Sequence, residues 1–399
     1  MTKLEDLLVK LNSIAVFRAL LSDEVVIALR EFLQTQKKSD LALTVDKYSE
    51  FVSKLYNKNC TNLGDYLNSI IAFDENVYIK TVGKGEQVPT VIKNAVDREL
   101  DIFQQIADID LTAFFKNTGF ENALPQICKK TVDIKAEYYN RADNIGKYGY
   151  GIYASYHMFC IDEQNKIIPV LYPDTIRLSQ LSGYEREKQI ILENTNLLLE
   201  NKMAANILLT GDAGTGKSST IKAVVNELYK KGLRILQVRK DQLHIIPSIL
   251  DELTANPLKF IIFIDDLSFQ KDDDNYSALK AILEGSVSAK SQNVVIYATS
   301  NRRHLVRESF SDRDGDDVHY NDTVQEIISL SERFGIHITF NRPDKNSYLD
   351  IVHFILDDAN VDYDKKQIDI EAEAFALQRG NRSARAARQF AESVISKSM

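Results

Sequence analysis

The chain is short of several features that would have fixed its class at once. It has three cysteines in 399 residues, Cys60, Cys128 and Cys160. They are scattered and odd in number, which argues against a disulfide framework or a metal knuckle and fits a reducing cytosol. No apolar run approaches the roughly 18 residues of a membrane span. The first residues, "MTKLEDLLVKLNS", carry acids and lack a signal-peptide core or a small-residue cleavage site. There is no internal repeat or low-complexity segment, and neither His157 nor His244 has a companion at ligand spacing. The net charge of −8 argues against a general polyanion binder, although a local basic patch could still take one. What remains is an ordinary globular composition, 44% hydrophobic and 27% charged, long enough for two or three domains.

The rhythm changes near Pro173. Before it the pattern is mostly helical: two amphipathic helices over 4–35, with Ser22 as an N-cap, then further helices to about residue 140, broken by "VGKGEQVP" at 82–89. In "KYGYGIYASYHMFCI" the residues Tyr148, Tyr150, Ile152, Ala154, Tyr156 and Met158 alternate with smaller or more polar ones, which predicts a strand. "DEQNK" turns and "IIPVLY" returns, with Pro169 confining that strand to an edge. The tyrosines at 148–156 read as the core of this hairpin rather than as stacking platforms for bases. After Pro173, short apolar runs alternate with helices: strands at 206–211, 234–238, 259–265, 293–300 and 336–340, read as apolar runs of a doubly covered parallel sheet. From Asp344 onward three helices fit, at about 345–358, 366–379 and 383–397. The predicted organisation is a helical N-terminal region with a β-hairpin (1–172), an α/β core (173–342) and a helical lid (343–399).

Chemistry enters at "NILLTGDAGTGKSSTIKAVV", residues 206–225. Gly211, Asp212, Ala213, Gly214, Thr215, Gly216, Lys217 and Ser218 match GxxxxGK[ST], between a strand and a helix as the motif requires. Glycines let backbone N–H groups curl around a phosphate, and the helix N-terminus, with Ser219 in its first turn, adds its positive end. Lys217 is placed to reach the β- and γ-phosphates of ATP, and Ser218 to ligate Mg²⁺. "FIIFIDDLSF" ends a strand with Asp265, a second Mg²⁺ candidate, and Asp266, a candidate to orient an attacking water.

From these motifs onward, residues 174–399 resemble the AAA+ ATPases, and the longer strings "GDAGTGKSST", "FIDDLSF", "YATSNRRHL", "LSERFG" and "RSARAARQF" resemble an uncharacterised bacterial AAA+ family known as domain of unknown function, family 815. The resemblance implies a five-stranded parallel P-loop core with a helical lid. It also makes Asn301 a γ-phosphate sensor, Arg333 a finger reaching a neighbouring subunit, and Arg385 a lid arginine on the γ-phosphate, with Arg382 as runner-up. Arg382, Arg385 and Arg388 recur every three residues and share a helix face. Gly183 and Tyr184 in "LSQLSGYEREK" fall where such proteins hold adenine. A finger supplied in trans implies a ring or helical homo-oligomer, acting on a protein or nucleic-acid client. Two departures qualify this. Asp266 stands where most relatives have Glu, which keeps open a nucleotide-gated assembly switch with little hydrolysis. No aromatic–apolar–Gly pore loop follows the second strand, which disfavours a threading unfoldase. The acidic stretch 311–326 has its glycine misplaced for a calcium loop and reads as an exposed insertion, and "NRRH" at 301–304 is a candidate DNA contact.

Overall fold

The computed structural model describes residues 3–35, 40–115, 118–268, 279–280, 282–283, 292–301 and 332–398. The chain forms two compact units, Met1–Ser155 and Tyr156–Met399.

The first unit is helical, with principal helices Lys3–Asn12, Glu24–Thr35, Leu41–Asn57, Leu63–Phe73, Val77–Gly83, Thr90–Ala107 and Ile134–Asp143. Their apolar faces meet in one core rich in rings: Phe17 packs edge-on against Phe103 and Tyr138, with centroids 5.7 and 5.4 Å away. Helix starts are capped by short polar side chains. Asp40, Asn62, Asn76 and Asp133 each accept a backbone N–H from the first turn of their helix. The helix beginning at Glu24 is capped by Asp23, whose Oδ1 accepts from Val25 and Val26 N–H at 2.9 and 3.1 Å, and not by Ser22, which closes the preceding 3₁₀ turn.

The alternating tyrosines do not form the expected strand. Residues Ile145–Tyr148 and Ile152–Ser155 are short helical turns, separated by Gly149 and Gly151 at φ +67° and +59°. The period-2 pattern spans two turns broken by left-handed glycines, so extended backbone begins only at Met158.

The second unit is built on a seven-stranded sheet: β1 (Met158–Ile161), β2 (Ile167–Pro169), β3 (Ile207–Gly211), β4 (Leu233–Val238), β5 (Lys259–Ile264), β6 (Val294–Ser300) and β7 (Ile336–Phe340). The spatial order is β2-β1-β4-β5-β6-β3-β7, with every neighbouring pair parallel except β1 with β2. The five strands read from the apolar runs are all present. Every residue of β5 and β6 is buried, as for strands covered on both faces. The hairpin, expected with the N-terminal region, instead extends this sheet: β1 pairs in parallel with β4, Met158 opposite Ile235. Pro169 lies on edge strand β2, where its missing N–H costs no ladder bond.

Helices Glu185–Leu199 and Lys217–Leu228 pack their apolar residues into the core of the sheet. The chain ends in helices Lys345–Asp358, Lys365–Gln378 and Ala384–Ser398, which share an apolar core of their own around Tyr348, Val352, Leu356 and Phe390. Among the described residues, no helix is long and apolar enough to cross a membrane.

Candidate functional site

β3 runs into the loop 211–216 and then into helix Lys217–Leu228. Gly211, Gly214 and Gly216 all take positive φ, at +133°, +80° and +96°. At Gly211 the need is also steric, because a Cβ there would lie 2.1 Å from the Phe340 carbonyl oxygen on β7. At Gly214 it would lie 3.1 Å from Arg385 Cβ. The first intrahelical bond runs from Thr220 N–H to Gly216 O at 2.8 Å. The N–H groups of the residues before Thr220 are therefore the free donors of a helix N-terminus, the ordinary setting for an anion.

Lys217 is 5% exposed, and its three ammonium protons are all placed. Nζ donates to Gly211 O and Asp212 O at 2.8 Å each and to Asn301 Oδ1 at 3.0 Å. Burial pushes its pKa down, while the charges of Asp212, Asp265 and Asp266 hold it up. Asp265, at the carboxyl end of β5, receives Ser218 Oγ at 2.7 Å and Thr299 Oγ1 at 2.6 Å, both on Oδ1. Thr299 Oγ1 in turn accepts Asp266 N–H at 3.0 Å, which fixes Asp266 in a left-handed conformation at φ +54°. The Asp266 carboxylate accepts Asn301 Nδ2 at 2.7 Å. Asn301 thus bridges Lys217 and Asp266, and Thr299, two residues before it on β6, organises both aspartates.

These groups open onto a cavity of about 430 Å³, within the usual range for small-molecule sites. Loop residues Ala213–Thr220 form one wall, Asp265, Asp266, Thr299 and Asn301 the floor, and Gln180–Tyr184 another side. The fourth side comes from the C-terminal helices through Ile351, Ile355, Ala384, Arg385 and Arg388. The N-terminus of helix Ala384–Ser398 is docked on the loop, with Arg385 N–H donating to Gly214 O at 3.0 Å. Tyr184, at φ +59° after Gly183 at +80°, stacks on Phe340 with centroids 4.9 Å apart and donates its hydroxyl to Asn341 O at 2.5 Å. Burial, aided by the charges of Glu187 and Asp212, pushes its phenol up to about 12.

The structure brings Lys217, Ser218, Asp265, Asp266, Asn301, Arg385, Gly183 and Tyr184 to one cavity. Gly211 supports the loop from its β3 end, and Asp212 turns its carboxylate towards Arg342, at 3.4 Å. Arg382 does not line the cavity. Its guanidinium holds the Glu373 carboxylate through Nε at 2.9 Å and Nη2 at 2.8 Å, which lowers the Glu373 pKa. Arg333 sits half-buried three residues before β7, away from the cavity of its own chain. Of "NRRH", residues 302–304 lie outside the described residues, as do the 311–326 insertion and positions 330–331 of "LSERFG". Thr299, Arg342, Ile351 and Ile355 are among the contributors that went unread in the sequence. Thr299 had a signal, since it shares a strand face with Asn301.

A hydroxyl and a carboxylate 2.7 Å apart are hard oxygen donors of the kind Mg²⁺ takes, in the small number it uses when phosphate oxygens and water complete its shell. Among the described residues, no group of three or more His, Cys, Asp or Glu is placed to hold a metal.

Fold and site together define an α/β protein with a mostly parallel sheet and a glycine-rich loop at the carboxyl end of β3, leading into a helix. The family model "Protein of unknown function (DUF815)" matches residues 154–398, and the chain belongs to that family. No curated protein matches the chain.

Proposed function

We propose that the protein is an AAA+ ATPase that binds Mg²⁺–ATP in this cavity and hydrolyses it by attack of water on the γ-phosphate. The observation that carries the reading is Lys217. A buried ammonium is held by two loop carbonyls and Asn301, in a loop of three positive-φ glycines, beside the Ser218–Asp265 pair. The mutually parallel strands β3–β7 support this reading, which takes the three C-terminal helices as the lid.

In this reading the N–H groups of the loop and Lys217 hold the phosphates. Ser218 and Asp265 hold Mg²⁺, which supplies positive charge to the phosphate oxygens. Asp266 and Asn301, already hydrogen-bonded, orient the water, and Arg385 contacts the γ-phosphate from the lid. Arg333 serves a neighbouring copy in a ring or helical assembly, so ATP turnover moves the lid and passes shape to a client, protein or DNA, through the N-terminal unit. Steady-state phosphate release tests this. Turnover that Lys217→Ala abolishes is expected. A rate below about one per hour that the variant leaves unchanged would contradict it, since typical enzymes run at about 1–1,000 per second.

One observation favours a second reading, a nucleotide-gated assembly switch with little hydrolysis. The Asp266 carboxylate is one methylene shorter than Glu and is already engaged by Asn301 at 2.7 Å. In that case Asp266→Glu raises the rate, and ATP controls assembly without being consumed.

A further inference from the structure

Asp212 is at odds with its surroundings. It is the second residue of a loop suited to an anion, where a carboxylate repels phosphate. Its side chain does not line the cavity, whose loop wall begins at Ala213. Even so, its charge acts on Lys217 ahead of those of Asp265 and Asp266, and also reaches the Tyr184 phenol. What faces it is Arg342, with Nη2 3.4 Å from Asp212 Oδ1 and both side chains about half exposed, at 50% and 51%. Arg342 lies two residues beyond β7, on the short link to helix Lys345–Asp358. The nucleotide side of the cavity also holds this link and the strand end that leads into it. Gly211 pairs with Phe340, the last residue of β7 before the link, and the Tyr184 hydroxyl donates to Asn341 O, the first residue of the link.

We propose that Arg342 is a positioning residue of the phosphate cradle: it neutralises Asp212, and through that pair it holds the sheet-to-lid link against the loop. This rests on the Mg²⁺–ATP reading of the same cavity. A half-exposed pair at 3.4 Å adds little to folding stability. Its leverage is on the ligand, because Asp212 without Arg342 is an uncompensated negative charge beside a multiply charged anion. The lid arginines cannot replace Arg342 in this, since Arg385 and Arg388 face the cavity and Arg382 is taken by Glu373.

The test is titration of Mg²⁺–ATP into the full chain as wild type, Arg342→Ala, Arg342→Lys, Asp212→Asn and the Asp212→Asn/Arg342→Ala double variant. Arg342→Ala weakens binding about 3- to 10-fold, and the loss shrinks as salt is raised. Asp212→Asn tightens binding about 2- to 5-fold, while the double variant, neutral at both positions, returns to within about twofold of wild type. Arg342→Lys keeps the charge and binds within about twofold of wild type. In phosphate release, the Arg342→Ala loss falls on KM rather than kcat. Melting temperatures of these exposed-site variants stay near wild type, so misfolding does not mimic the result. Unchanged affinity in Arg342→Ala overturns the proposal. So does a double variant as weak as Arg342→Ala, because Arg342 would then act on the phosphate directly. Wild-type protein that takes up no Mg²⁺–ATP brings down the nucleotide reading and this proposal together, whereas the two preceding outcomes, with wild-type binding intact, bring down this proposal alone.

Discussion

Glu99 in the first unit and Lys217 in the second are both buried charges, 0% and 5% exposed, each held by main-chain groups. The Glu99 carboxylate accepts the N–H groups of Ala15, Val16 and Phe17 at 2.9–3.2 Å. It closes the bend after helix Lys3–Asn12, beneath the ring cluster of Phe17 and Phe103. Lys217 donates to two carbonyls and to Asn301, whose other side-chain group holds Asp266 beside a cavity of about 430 Å³. Burial and complete hydrogen bonding therefore do not mark a site. The distinction lies in the neighbours: Glu99 is enclosed by segments of the core it stabilises, while Lys217 borders open space lined by further donors and by carboxylates.

The largest effect that would sharpen this contrast is at Glu99. Glu99→Ala leaves the N–H groups of Ala15, Val16 and Phe17 without their acceptor, that of Phe17 in the buried core, and costs about 3–5 kcal/mol. Chemical denaturation checks this, together with ATP binding measured where the variant is still folded, which stays near wild type. Next is Gly211→Ala, which places a methyl carbon 2.1 Å from Phe340 O and demands φ +133° of a residue with a Cβ. The expected cost is about 3 kcal/mol or more, with loss of nucleotide binding in any folded fraction. A thermal melt with and without Mg²⁺–ATP reads both effects.

These two positions also show what could be read before the fold was seen. Gly211 belongs to a local motif, and everything local about the cradle was legible: the glycines, Lys217, Ser218 and the strand-end aspartates. Five strands were legible to within about one residue: β3 to β6 because burial on both faces demands apolar residues nearly throughout, and edge strand β7 from Ile336, Ile338 and Phe340, which alternate with exposed His337 and Thr339. Glu99 carried no signal, since the backbone donors it accepts lie more than eighty positions away in the chain. The same distance hid Arg342 and the isoleucines of helix Lys345–Asp358, which reach the site only through tertiary packing. The tyrosines at 148–156 misled for the opposite reason: a local alternation was cut by left-handed glycines. β1 joined the sheet through pairing with β4, some seventy residues on, which no local pattern announces.

The smallest effect concerns a surface charge of the first unit. Hydrogen bonds from Lys129 and then Thr112 hold the Asp110 pKa down at about 2. A folded pKa below the unfolded value of about 3.9 gives stability that is present above pH ~4 and is lost as pH falls towards 2. With Asp110 36% and Lys129 66% exposed, water screens the pair and its worth stays under about 1 kcal/mol. Asp110→Asn is therefore slightly less stable than wild type at neutral pH, and the two unfolding curves converge between pH 4 and 2. A gap that persists at pH 2 would assign the effect to packing instead.

The most direct test of the account is calorimetric titration of the full chain with Mg²⁺ and a non-hydrolysable ATP analogue, alongside Lys217→Met. Wild type is predicted to bind one equivalent, and the variant about 100-fold more weakly. A thermal melt of the variant without ligand accompanies the titration, because Gly211 O, Asp212 O and Asn301 Oδ1 lose their donor and the affinities are compared only where the variant is folded. A wild-type protein that binds nothing, or a variant that binds as tightly as wild type, would contradict the central claim.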